Sequence, residues 1–162
     1  MVGIVGMALL FIGPSYVANA APLVFGGGRP LDADQKFWDG RPIFGSHKTV
    51  RGFFAGIIAG SLVGLAESLI DPRLAVGGLA ISLGAVLGDL LGAFVKRRLG
   101  MKPGRLFPVV DQLDFVVGAL TISYPLFPMS LISVLIVVLV TPPVHLVTNL
   151  GAYLLGMKRT YW

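Results

Sequence analysis

Five apolar runs divide the chain, at roughly 3–25, 50–70, 74–95, 108–127 and 129–157. A helix needs about 20 apolar residues to cross a bilayer. The pattern therefore predicts an all-α integral membrane protein with five transmembrane helices. The fourth run is short and ends at Pro125 and Pro128. The fifth is long, and Pro142-Pro143 inside it predict a kink. Gly64 and Ser68, with Ser61 three residues earlier, have small-residue spacing, and Gly52, Gly56 and Gly60 have small-xxx-small spacing. Such spacing lets helix backbones approach closely in lipid.

Composition supports the same class. Of 162 residues, 55% are hydrophobic and 13% charged, whereas soluble domains carry about a quarter charged residues. There is no cysteine, so disulfides and thiolate metal sites are excluded. The segment from Met1 to Phe25 lacks a basic leading region and reads as a retained helix, not a cleaved signal. No linker breaks the chain, and 1–162 reads as one transmembrane domain. Its loops lie at about 26–49 and 96–107, the first rich in Gly, Pro, Asp and aromatics.

The net charge of +5 changes the picture only through its placement. The basic residues sit in short loops, which points to membrane orientation and anionic ligands, not nucleic acid. Arg29, Lys36, Arg41, Lys48 and Arg51 flank the first long loop. Lys96, Arg97, Arg98, Lys102 and Arg105 fill the second, and Lys158 and Arg159 lie near the end. With five spans, twelve of thirteen cations share one side, and Arg73 is the exception. The positive-inside rule makes that side cytoplasmic, with the N-terminus outside and the C-terminus inside.

Three of the eight acids, Asp89, Asp111 and Asp114, fall within apolar runs. Glu67 lies near the outer end of the second run. Carboxylates inside a membrane are costly and mark function. Asp89 is seven residues before Lys96, about 10 Å below the cytoplasmic edge. Asp111 and Asp114, spaced i, i+3, share a helix face near the start of the fourth run. All three converge at one depth, and their repulsion must be neutralised. Hard oxygen ligands suit Mg²⁺, bound by carboxylates together with substrate phosphates. The alternative is that Asp89 and Asp114 simply pair with Lys96 or Arg97.

The stretch from Pro42 to Gly52 precedes the second run. Gly45 permits a tight turn, and Ser46 is a candidate helix cap. The helix start, with Lys48, Thr49 and Arg51, offers donors to a phosphate. The same residues also read as basic membrane anchors. The P-loop spacing is absent. His47 reads as a solvated loop residue and His145 as a packing or kink residue.

The stretch GDLLGAFVKRRLGMK resembles the signature of the CTP:phosphatidate cytidylyltransferases, which runs G-D-L-x-x-S-x-x-K-R-x-x-G-x-K-D and later D-R-x-D. Gly88-Asp89-Leu90, Lys96-Arg97, Gly100 and Lys102 fall in register. Phe107-Pro108 matches the L-P pair, and Asp111 and Asp114 match the two acids of D-R-x-D. Ala93, Pro103 and Gln112 depart from the pattern, and the H-G-G segment is missing. The short length, the G-x-x-K-T-x-R-G element from Gly45 to Gly52, and the segment from Tyr16 to Pro22 resemble the archaeal branch, the CDP-archaeol synthases.

That resemblance implies CTP and an isoprenoid glycerol-phosphate lipid as substrates, with the site at the cytoplasmic face of the cell membrane. Asp89, Asp111 and Asp114 would hold Mg²⁺ and, with Lys96, act at the reacting phosphates. Lys48, Thr49, Arg51, Gly52, Lys96, Arg97, Lys102 and Asn19 would bind the nucleotide. Membrane lipids are implied partners, a homodimer stays open, and no nucleic acid is expected. Three rivals remain at this stage. They are a CTP-dependent polyprenol or phytol kinase, a phosphatidate cytidylyltransferase acting on ester lipids, and a small cation channel or transporter.

Overall fold

The computed structural model describes residues 2–102 and 105–157. Five helices follow in order: α1 (Ile4–Phe25), α2 (Val50–Glu67), α3 (Leu74–Arg98), α4 (Val110–Ser123) and α5 (Leu131–Leu154). Among the described residues the only β pairing is two isolated bridges, Pro30 with Thr49 and Lys36 with Pro42. The all-α reading holds.

Helices α1, α2, α3 and α5 are each long and apolar enough to cross a membrane. Helix α4 is different. Its 14 residues rise about 21 Å, short of the ~30 Å hydrocarbon core. The fourth apolar run is helical only in its middle, with turn residues on either side. Helix α5 continues unbroken through Pro142 and Pro143; membrane helices tolerate proline where neighbouring groups satisfy the freed backbone.

Helix α3 is the axis of the bundle and packs against α1, α2 and α4, with Leu74, Ile81 and Ala85 fully buried. Two glycine stripes make these contacts close. On α2, Gly52, Gly56, Gly60 and Gly64 are all buried. A methyl at Gly56 would lie 2.6 Å from the Ala18 carbonyl oxygen, and one at Gly64 would lie 2.5 Å from the Gly78 Cα. Of Ser61, Gly64 and Ser68, only Gly64 belongs to this buried set. On α3, Gly84, Gly88 and Gly92 receive α4: a methyl at Gly84 would lie 2.7 Å from the Ala119 Cα, and one at Gly88 2.9 Å from the Asp114 carbonyl carbon. This stripe fixes how deep Asp114 sits.

Helix α5 is peripheral and touches α1 and α4. Tyr16 donates its hydroxyl to Thr141 Oγ1 at 2.8 Å, and Ser133 donates to the Ile4 carbonyl at 3.0 Å. The 26–49 loop and the α3–α4 connection lie at one end of the bundle, joined by contacts from Arg41 to Arg97 and Arg98. Every described cation except Arg73 is at that end. Arg73 sits at the other, donating to Asp71 and lying 5.1 Å over the Phe127 ring. Lys158 and Arg159 fall outside the described residues.

Candidate active site

The 26–49 loop is organised around Asp32, a buried carboxylate. Its Oδ2 accepts from the Phe44 and Gly45 N–H groups at 2.9 Å each, and its Oδ1 from Asp34 N–H at 3.1 Å. Burial works against its charge, but the N–H groups of Gly45, Phe44 and Asp34 more than offset it. They hold the carboxyl below the usual aspartate range. Gly45 takes φ +96°, as its turn requires, and Lys48 N–H closes that turn on the Gly45 carbonyl at 3.1 Å.

The cap of α2 is Thr49, not Ser46. Thr49 Oγ1 accepts from Gly52 N–H at 3.1 Å and from Gly27 N–H at 3.2 Å. One hydroxyl thus caps α2 and ties it to the end of α1, a double task that the solvated Ser46 has no position to perform. Gly52 is needed at this junction because a methyl there would press on Pro22 and Thr49.

So placed, Lys48 reaches across to α3. Its Nζ lies 2.6 and 2.5 Å from the two oxygens of Asp89. A second pair stands beside it: Lys96 Nζ lies 2.8 Å from both oxygens of Asp111. Asp111 Oδ2 also accepts from Phe107 N–H at 2.9 Å, which steadies the start of α4. The alternative pairings, Asp89 or Asp114 with Lys96 or Arg97, do not form among the described residues. Asp114 takes one hydrogen bond among the described residues, from Phe115 N–H. Its carboxylate lies on Gly92, where any side chain would overlap it. Asp89, Asp111 and Lys48 are all within its electrostatic reach.

The three carboxylates are therefore neighbours. Among the described residues, no three acidic or imidazole groups are gathered tightly enough to coordinate one ion. The physical reason is visible: Asp89 and Asp111 are each drawn onto a lysine. The donor set is nevertheless hard oxygen, and Asp114 projects into space that only a glycine at position 92 leaves free. Those features fit a hard divalent cation.

Arg97 is the other unusual group. It is 5% exposed, yet its Nε and Nη1 have no partner among the described residues. Its Nη2 lies 3.4 Å from the Lys102 carbonyl. A buried guanidinium with unpaired N–H groups is costly unless an anion completes it. The Arg51 and Lys102 side chains are exposed at the same end. Asn19, half-buried on α1, follows Tyr16 at i+3 and so shares the face that Tyr16 turns toward Phe115 and Thr141. His145 stacks on Phe115 at 6.4 Å, the packing role expected of it.

A cleft of about 40 Å³ opens between Pro22, Lys48, Thr49, Phe53, Val86 and Asp89. Its floor is apolar and its rim charged. The larger cavity, about 770 Å³, is at the opposite end around Met7, Ile70, Arg73 and Ser133, away from the carboxylates. Sequence reasoning missed two residues at the charged end. Asp32 was readable from its Asp-Ala-Asp turn pattern. Arg98, which binds the loop to α3, had no signal separating it from its basic neighbours.

An apolar bundle that collects carboxylates and cations at one mouth is the framework of an intramembrane enzyme. Its class is confirmed by comparison with known proteins. The CarS-like CDP-archaeol synthase family matches residues 1–162, and the chain belongs to that family. The CDP-archaeol synthase of Methanopyrus kandleri is 45% identical, over 97% of this chain and 93% of its own. That of Pyrococcus abyssi is 44% identical over 96% of each. A solved intramembrane enzyme of archaeal membrane-lipid biosynthesis superposes with a TM-score of 0.83 and 41% identity, covering 88% of this chain and 92% of that one.

Proposed function

We propose that the chain transfers the cytidylyl group of CTP to 2,3-bis-(O-geranylgeranyl)-sn-glycerol 1-phosphate. A lipid phosphate oxygen forms a bond to the α-phosphorus of CTP. The bond from that phosphorus to the α,β-bridging oxygen breaks, and pyrophosphate leaves with the electron pair. The products are the CDP-activated lipid and pyrophosphate. A phosphomonoester is already nucleophilic, so the protein's work is positioning and charge neutralisation, not proton abstraction.

The observation that carries this reading is the buried Arg97 guanidinium, two of whose nitrogens have no partner among the described residues, on the same helix as Lys96 and within electrostatic reach of Asp111. A triphosphate would complete Arg97 and replace the present partners of Lys48 and Lys96. Thr49 and Gly52 present the start of α2 to the phosphates. Arg51 and Lys102 stand at the rim, and Asn19 approaches from α1. With Lys48 and Lys96 turned to phosphate, Asp89, Asp111 and Asp114 would be free to hold Mg²⁺. When bound, Mg²⁺ supplies positive charge to the triphosphate and the departing pyrophosphate.

The charge asymmetry supports a cytoplasmic active site, the N-terminus outside and the C-terminus inside, with α4 and the turn residues on either side of it together making the fifth crossing. A reporter fused after Trp162 is expected to read cytoplasmic; an extracellular signal rejects this orientation. The function is tested with CTP labelled in the cytidine. Label recovered in lipid, with pyrophosphate released, supports cytidylyl transfer. Label left in CDP, with a phosphorylated lipid, would identify a lipid kinase instead. Parallel assays with an ester phosphatidate decide the lipid class.

A further inference from the structure

Within the 26–49 loop, residues 36–42 form a short hairpin. Phe37 N–H donates to the Arg41 carbonyl at 2.8 Å, Gly40 N–H to the Phe37 carbonyl at 2.9 Å, and Ile43 N–H to the Gln35 carbonyl at 3.3 Å. Gly40 supplies the φ of +75° that the turn demands. Trp38 stands at the tip and is 92% exposed.

This hairpin is a fixed arm. The Arg98 guanidinium lies 4.8 Å from the ring centres of both Phe37 and Phe94, and the two rings meet edge to face at 5.3 Å. Arg98 Nη1 also donates to Asp39 at 2.8 Å. Arg41 in turn donates to the carbonyls of Arg97 and Arg98 at the end of α3. The arm is thus clamped to the last turn of α3 from both sides.

The clamp decides where Trp38 lies. Phe94 borders the exposed apolar stripe of Leu87, Leu91 and Val95, the part of α3 that faces lipid. Lys96, Arg97 and Arg98 mark the level at which α3 leaves the hydrocarbon. A tryptophan held at that level, on that side, is where the interfacial layer of a bilayer begins. Lys36 and Arg41, both exposed, flank it with charge complementary to lipid phosphates. We propose that the Phe37–Trp38 tip is a membrane-docking surface whose partner is the headgroup layer. The proposal does not depend on the catalysed reaction or on which face is cytoplasmic.

The chain has two tryptophans, so Trp162→Phe leaves Trp38 as the sole indole emitter. That variant is placed in vesicles of phosphatidylcholine and phosphatidylglycerol. The lipids carry a quencher either just below the headgroup or near the acyl terminus. The shallow quencher is expected to reduce Trp38 emission at least about threefold more than the deep one, with weak quenching by aqueous iodide. Strong iodide quenching without lipid quenching would place the tip in water and overturn the proposal. Protection from iodide with no lipid quenching would overturn it too, because a second copy would then cover the tip. Stronger quenching by the deep probe would likewise reject an interfacial position.

Discussion

Lys48 on the first loop and Asp89 on α3 meet through both carboxylate oxygens, at 2.6 and 2.5 Å, although 41 residues separate them in the chain. The pair locks the start of α2 onto the middle of the charged cluster. Each side chain is roughly a quarter exposed, so the contact is worth at most about 1 kcal/mol of stability. Its value is positional. Lys48→Met is expected to weaken CTP binding by about tenfold, measured by titration in detergent, with little change in thermal midpoint. A lowered thermal midpoint with intact nucleotide affinity would make Lys48 a structural strut.

Gly92 provides a test of how Asp114 is placed. A methyl there would overlap the Asp114 carboxylate. Because α3 and α4 are held together by their backbones at Gly84, Gly88 and Gly118, the carboxylate has to move. Gly92→Ala is expected to cut turnover by about tenfold or more, with an overpacking cost of roughly 1–3 kcal/mol. Gly151→Ala, on α5, meets nothing within 4 Å and is expected to behave as wild type. Equal activity in the two variants would show that Asp114 is free to sit elsewhere.

Much of this architecture was legible in the chain. The apolar runs located all five helices, and the cations marked the end where the chemistry gathers. The GDLLGAFVKRRLGMK stretch pointed to the family. Pairing was harder. Lys96 was weighed as a partner of Asp89 or Asp114 but reaches Asp111, because the α3–α4 connection brings that residue back beside it. Such a choice depends on the register of two helices, which the glycine stripe on α3 sets and local patterns do not. Thr49 displaced Ser46 as the cap for a similar reason: its second contact, with Gly27, comes from a different helix end. The three acids come within electrostatic reach of one another, yet lysines hold two of them, and a count of carboxylates carries no information about that.

Asp32 predicts a pH dependence. Its folded-state pKa is depressed, so its stabilisation is fully present above the ordinary aspartate value, about 4. It is lost as the pH falls further, through the depressed value. Asp32→Asn removes the charge while keeping the shape. At neutral pH the variant's 26–49 loop is expected to be cleaved faster by protease and its nucleotide affinity to drop. As the pH is lowered below about 4, the difference from wild type in loop protection, followed by hydrogen exchange, is expected to shrink. A difference that persisted or grew at low pH would mean that the hydrogen bonds, not the charge, organise the loop.

Asp111 and Asp114 carry the strictest test of the proposed chemistry. Asp114 lies against Gly92 with a single hydrogen bond among the described residues, within electrostatic reach of two other carboxylates. A triphosphate brought to this mouth adds like charge where screening is poor. In the proposed mechanism the lysines neutralise Asp89 and Asp111 only until they turn to phosphate, and a divalent cation would then take their place. Asparagine keeps the volume but removes the charge. Asp111→Asn and Asp114→Asn are each expected to lower turnover at least about a hundredfold, some 2.7 kcal/mol of transition-state stabilisation. Raised Mg²⁺ or Mn²⁺ should restore part of it. Because Asp111 also anchors Lys96 and caps Phe107, its variant has a second route to failure, and Lys96→Met is the comparison that separates them. Direct Mn²⁺ binding in the presence of CTP, followed by electron paramagnetic resonance, should weaken in both aspartate variants and persist in Lys96→Met. If both aspartate variants bound Mn²⁺ and turned over as wild type does, the carboxylates would have no part in holding the metal, and the proposed mechanism would fall with them.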